Sequence, residues 1–176
     1  MQKSVRELVT AAVCLALCLL LPFLTGQIPQ WGNMLSPMHI PVLLCGLLCG
    51  WPYATAVGCI APALRYALFG MPPLMPTGLA MMVELAVYGL SSSLLRRALP
   101  KRPAYLYVSL ILAMLLGRVA WGAARLALAG LSNGVFTFAE FLAGAFTSAI
   151  PGIICHILII PPVVMALERA RGRAAA

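Results

Sequence analysis

A chain of 176 residues, 62% hydrophobic and 9% charged, with a mean hydropathy of +1.00, has more apolar surface than a soluble domain of its size can hide, so lipid must serve as its solvent. Its net charge of +8 is not drawn into a basic surface interleaved with aromatics, which argues against nucleic acid as a partner. Brief connections, with no linker or low-complexity tract, predict one compact all-α membrane domain over residues 1–176.

Six transmembrane helices are predicted, at about 5–24, 36–50, 52–69, 76–97, 104–130 and 139–167. The run from Val5 to Leu24 sits behind a short basic end, as in a secretory signal peptide. No small-residue cleavage site follows it, however, and further apolar runs do, so it reads as the first span. The second candidate lies in GNMLSPMHIPVLLCGLLCGWP and is short for a crossing that takes roughly 20 residues. Pro37, His39 and Pro41 stand at its mouth. Prolines in a first helical turn cost little, because those amide hydrogens have no intrahelical acceptor. The segment therefore reads as a loop-to-helix hinge, where His39 either touches a solute or hydrogen-bonds the loop. The remaining spans approach or exceed the crossing length, and the last two are long enough to tilt.

Positive charge orients these spans. Lys3 and Arg6 precede the first, Arg96, Arg97, Lys101 and Arg102 lie between the fourth and fifth, and Arg169, Arg171 and Arg173 follow the sixth. With an even number of helices all three clusters fall on one side, and the positive-inside rule makes that side, with both termini, cytoplasmic. The six cysteines, at 14, 18, 45, 49, 59 and 155, all lie in apolar spans. The i, i+4 pairs Cys14/Cys18 and Cys45/Cys49 could chelate a soft metal, but no matching ligand set completes a site. They read as small hydrophobes at helix contacts, and no metal or cofactor is expected.

Arg65, Glu84, Arg118, Arg125 and Glu140 sit within or at the edge of spans, where ionisable groups are costly and mark a polar site or an ion pair. Arg118 and Arg125 are about two helical turns apart and share a face with Trp121 near them. Thr77, Met81, Glu84 and Tyr88 form a stripe in the fourth span, and Glu140, Gly144, Thr147 and Pro151 form another in the sixth. Three such faces could enclose an outward cavity with one excess positive charge. That suits a carboxylate-bearing solute, since arginine grips a carboxylate through two parallel hydrogen bonds. Two readings stand for Glu84 and Arg118, solute contact or mutual neutralisation between helices. Arg65 is either a solute contact or a snorkelling residue, and His156, deeper in the last span, reads as a packing residue. The uncharged loops QIPQWGNMLSP, GMPPLMP and LSNGVF could fold over the site, with Trp31, Asn33 and Asn133 supplying contacts, or merely turn the chain.

No G-x-x-x-x-G-K-[ST], H-E-x-x-H or G-x-S-x-G pattern occurs, and the chain has no Asp. A transport subunit without its own ATPase fits better than an enzyme. A lipid-modifying membrane enzyme and a structural membrane subunit are the readings from other classes.

PMHIPVLLCGLLCG at 37–50, GMPPLMPTGLAMMVELAVYG at 70–89 and the Ala12-x-x-x-Ala16 pair together resemble the substrate-binding S component of an energy-coupling factor (ECF) transporter. The first phrase is similar to the subfamily that includes pantothenate carriers. The resemblance implies six helices with cytoplasmic ends in a bacterial cytoplasmic membrane, and a vitamin bound from outside under the first, third and fifth loops. It also implies partners: a transmembrane T subunit met at Ala12 and Ala16, and two cytoplasmic ATPases. Pantothenate is the first choice of substrate, with folate and niacin as other small acids.

Overall fold

In a computed structural model, residues 2–25, 34–131 and 134–173 are described, and among them every regular element is helical. Helix α1 (Gln2–Leu20) runs into a 3-10 turn at Leu21–Thr25. Helices α2 (His39–Leu48), α3 (Trp51–Phe69), α4 (Leu79–Ala98) and α5 (Pro103–Leu131) follow. The last crossing is built from a short α6 (Phe138–Leu142), a wide turn at Ala143–Thr147 and α7 (Ile150–Arg173). Among the described residues four stretches qualify as membrane spans by length and apolar composition, Ser4–Leu24, Leu74–Ala98, Pro103–Leu131 and Phe138–Ala170. The 10 residues of α2 extend only about 15 Å. The 19 residues of α3 include Arg65, Tyr53, Tyr66 and two prolines, which lower its apolarity.

Local chemistry explains the boundaries. Pro41 is the third residue of α2, within the turn whose amides have no helical acceptor. The left-handed Gly70 ends α3, its N–H donating to the Tyr66 carbonyl at 2.8 Å, the usual use of glycine at a helix C-terminus. Thr137 and Glu140 open α6 as a reciprocal capping box.

Helix α4 sits at the centre, packed most extensively on α3 and α5 and also on α2. Apolar side chains gain nothing by leaving lipid for protein, so close backbone approach and side-chain interlocking hold such helices together. A Cβ on Gly58 of α3 would collide with the Leu85 carbonyl of α4, and one on Gly89 of α4 with the Ala54 carbonyl of α3. The crossing is thus cut to glycine from both sides. Helix α1 packs on α2 and α3, and α7 packs on α2 and α5. Cys14, Cys18, Cys45 and Cys49 are buried in the contact of α1 with α2 and carry no disulfide. The Cys18 and Cys49 thiols donate to the Met38 and Glu7 carbonyls.

One end of the bundle is tied by polar links. Ser4 meets the Tyr53 hydroxyl at 3.0 Å, the Gly50 N–H donates to Glu7 Oε2 at 3.3 Å, and Arg96 grips both oxygens of Glu168 at 2.8 and 3.0 Å. The start of α1, the turn between α2 and α3, the end of α4 and the distal part of α7 share this end. The other face of α1, with Val5, Leu8, Val9, Ala12, Val13, Ala16 and Leu20, is exposed.

Candidate functional site

Helix α4 presents Glu84 and Tyr88 four residues apart on one face, and both side chains are fully enclosed. Glu84 Oε1 is the hub. It accepts from the Tyr88 hydroxyl at 3.0 Å and pairs with Arg118 Nη1 of α5 at 2.9 Å. His39 Nε2, at the start of α2, stands 3.5 Å from the same oxygen, an electrostatic contact too long for a good hydrogen bond. Gly117, next to Arg118, makes room for the Tyr88 ring, which a Cβ there would strike. His156 of α7 completes the group, its ring stacked on that of His39 with centroids 6.0 Å apart and planes 16° apart. Four helices thus converge on one buried polar cluster, in which His39 is 3%, Glu84 1%, Arg118 8% and His156 1% exposed.

The loop entering α2 belongs to this cluster. Ser36 adopts φ 46°, a left-handed conformation uncommon outside glycine, and its carbonyl accepts the His39 N–H at 3.0 Å. The Ser36 backbone also hydrogen-bonds the His156 ring. Gly152, one turn before His156, lets this segment lie directly on α7, since a Cβ there would stand 2.6 Å from the Met34 carbonyl. The two prolines and the histidine therefore mark where loop, α2 and α7 lock together.

Two turns along α5 lies a second, shallower group. Arg125 holds its guanidinium 5.4 Å over the Phe136 ring, a favourable cation–π arrangement. Trp121 packs edge-on to Phe136 at 5.9 Å and stacks on Phe141 at 6.4 Å. Gly144 and Gly122 open the slot for these rings, with a Cβ on Gly144 falling 2.7 Å from Trp121. Both groups have unused hydrogen-bonding capacity. Arg118 Nε, Arg125 Nε, both His39 nitrogens and His156 Nε2 are buried without hydrogen-bond partners. Buried polar atoms left unpaired are costly and need an explanation.

Of the residues singled out in the sequence, His39, Glu84, Tyr88 and Arg118 come together, and Trp121 and Arg125 form the second group. Arg65 joins neither. It donates to the Leu19 carbonyl at 2.7 Å, near the C-terminal end of α1, with Phe23 and Phe69 flanking its guanidinium at 5.2 and 5.4 Å. Glu140 is exposed, its carboxylate accepting the Thr137 N–H at 2.8 Å, so the stripe drawn from Glu140 to Pro151 does not form. The wide turn between α6 and α7 breaks the helical register that the stripe required. The spacing Thr137-x-x-Glu140 carried that signal, as a capping box. Trp31, Asn33 and Asn133 lie outside the described residues. His156, read as a packing residue for its depth in the last span, stands beside His39. Among the described residues no group of three or more metal-ligating side chains occurs.

Residues 6–164 match the family model for the substrate-specific component of ECF transporters. No curated protein and no solved structure matches the chain. The family match covers nearly the whole helical bundle, and on it the chain belongs to the substrate-specific components of ECF transporters, membrane subunits that bind the transported solute rather than catalyse a reaction.

Proposed function

We propose that this S component captures a small acidic vitamin, pantothenate first, at the outer face of a bacterial cytoplasmic membrane. Both termini lie in the cytoplasm, and the subunit hands its cargo to a T subunit powered by two ATPases. The observation that carries this reading is the pair Arg118 and Arg125, two turns apart on one face of α5, each with a buried Nε lacking a partner. Arg118 is neutralised by Glu84, whereas the guanidinium of Arg125 rests on an aromatic ring. The uncommitted positive charge is therefore at Arg125, and a solute carboxylate is its natural complement. Trp121, Tyr88 and His39 would line the path between the two groups, and Trp31, Asn33 and Asn133 remain solute contacts on the sequence reading alone. Arg65 is left out of this set because its guanidinium is engaged by α1 and two rings. Folate and nicotinate share the carboxylate and are the competing substrates.

Isothermal titration of the purified chain in lipid nanodiscs tests the reading. Pantothenate should bind, and Arg125→Ala should weaken it about 10- to 100-fold, the usual cost of a lost charged hydrogen bond. An unchanged dissociation constant removes Arg125 from the site. Tight binding of a neutral vitamin with none for pantothenate defeats the charge argument.

A further inference from the structure

His156 lies deep in α7 and is 1% exposed, yet its Nε2 has no hydrogen-bond partner. Since Nε2 is open, Nδ1 is the atom that meets the Ser36 backbone. A ring nitrogen donating to a carbonyl carries the proton, so in neutral imidazole the other nitrogen is a bare acceptor. Neutrality follows from the neighbours. Around this ring are His39 of α2, stacked on it, and Arg118 of α5, and the carboxylate that serves them both, Glu84, is already paired with arginine. An imidazolium there would be a buried cation without a counter-ion.

We infer that His156 Nε2 accepts a hydrogen bond from a hydroxyl on the buried end of the solute, and so sets the substrate class as a hydroxylated acid. This rests on the reading of the cluster as the solute site. The left-handed Ser36 and the close approach at Gly152 then have a role, since they hold the Ser36 carbonyl where it fixes the imidazole tautomer. Arg125 lies two turns from Arg118 on α5, about 10 Å at the usual helical rise, so the solute is long enough to place a carboxylate at one group and a donor at the other. Nicotinate, whose carboxylate form has no hydrogen-bond donor, does not meet this requirement. Pantothenate, with hydroxyls remote from its carboxylate, does.

The experiment is titration of the full chain in nanodiscs with pantothenate, nicotinate, folate and a pantothenate analogue whose hydroxyls are replaced by hydrogen. His156→Asn keeps an amide near Nδ1 for Ser36 but removes the Nε2 acceptor. His156→Gln offers an amide oxygen near Nε2 and gives up the Ser36 contact. The expected result is about a tenfold loss of pantothenate affinity in H156N, no loss for the analogue, an unchanged unfolding temperature, and recovery to within about threefold in H156Q. Wild-type pantothenate affinity in H156N overturns the inference, as does an equal loss for pantothenate and its analogue. Tighter binding of nicotinate than of pantothenate by the wild-type chain also overturns it, while leaving the acidic-solute reading intact. Failure of all three vitamins to bind the wild-type chain overturns that reading and this inference with it.

Discussion

The ion pair of Glu84 with Arg118 illustrates how a buried charge is held in a helix bundle. Removing one partner leaves the other buried and uncompensated, which typically costs about 3–5 kcal/mol, whereas replacing both with apolar groups of similar volume is far milder. Glu84→Leu should therefore lower the unfolding temperature of the detergent-solubilised chain markedly, and Glu84→Leu with Arg118→Met should recover more than half of that loss. Thermal unfolding of the single and double variants checks this, and additive losses would show that the two residues are stabilised independently. Much of this cluster was legible in the sequence. Four-residue spacing put Glu84 and Tyr88 on one face, and their position within a span set them apart as too costly to be incidental. His156 was not legible, because what recruits it is a loop, Met34–Ser36, lying on α7 where Gly152 admits it. Glu140 was misplaced, and Arg65 left between two readings, for a related reason. Counting charges along spans cannot distinguish an arginine engaged by the end of a neighbouring helix from one facing a site, nor a glutamate capping its own helix.

Among the elements, the crossing of α3 and α4 determines where Glu84 stands. Gly58 and Gly89 each sit against the other helix's backbone, with the carbonyls of Leu85 and Ala54 in the places their side chains would occupy. Because the obstruction is backbone and not a side chain that could swing away, even a methyl group forces the helices apart. Gly89→Ala should destabilise the fold by about 1–3 kcal/mol, the range for overpacking a close contact, and should weaken solute binding by shifting Glu84 and Tyr88 of α4 relative to Arg118 of α5. Melting curves together with pantothenate titration check it, and a variant that melts and binds like the wild type would show that the helices have slack at this point. The short α2 was readable in outline, since prolines at 37 and 41 can only begin a helix there. The interruption between α6 and α7 was not, because the sequence from 139 to 167 reads as one predominantly apolar run. The ring of Trp121 on Gly144, a tertiary contact, lies against this interruption. Pro151, the second residue of α7, was the local clue to where a helix could restart.

At the scale of the whole molecule, the distribution of small residues separates an internal surface from an external one. Glycines 46, 58, 89 and 117 face inward, each against a neighbouring helix. Ala12 and Ala16 are small as well, yet they are exposed, on the face of α1 opposite the buried Ala11, Cys14 and Cys18. Two small side chains one turn apart make a shallow groove into which another transmembrane helix can settle at short range. In lipid such a groove gains nothing by itself, and its use is a close protein contact. As an S component the chain has T and ATPase partners in general terms, and we assign this groove to the T subunit. Ala12→Trp fills it with an indole while touching none of the residues around Glu84, which lie across α1 on its far side. The variant should therefore bind pantothenate with wild-type affinity, fail to co-purify with the T subunit and ATPases, and lose uptake in whole cells. Unaltered uptake would place the contact on another face. Loss of binding together with uptake would mean that α1 is coupled to the solute cluster through its packing on α2, whose first residue is His39.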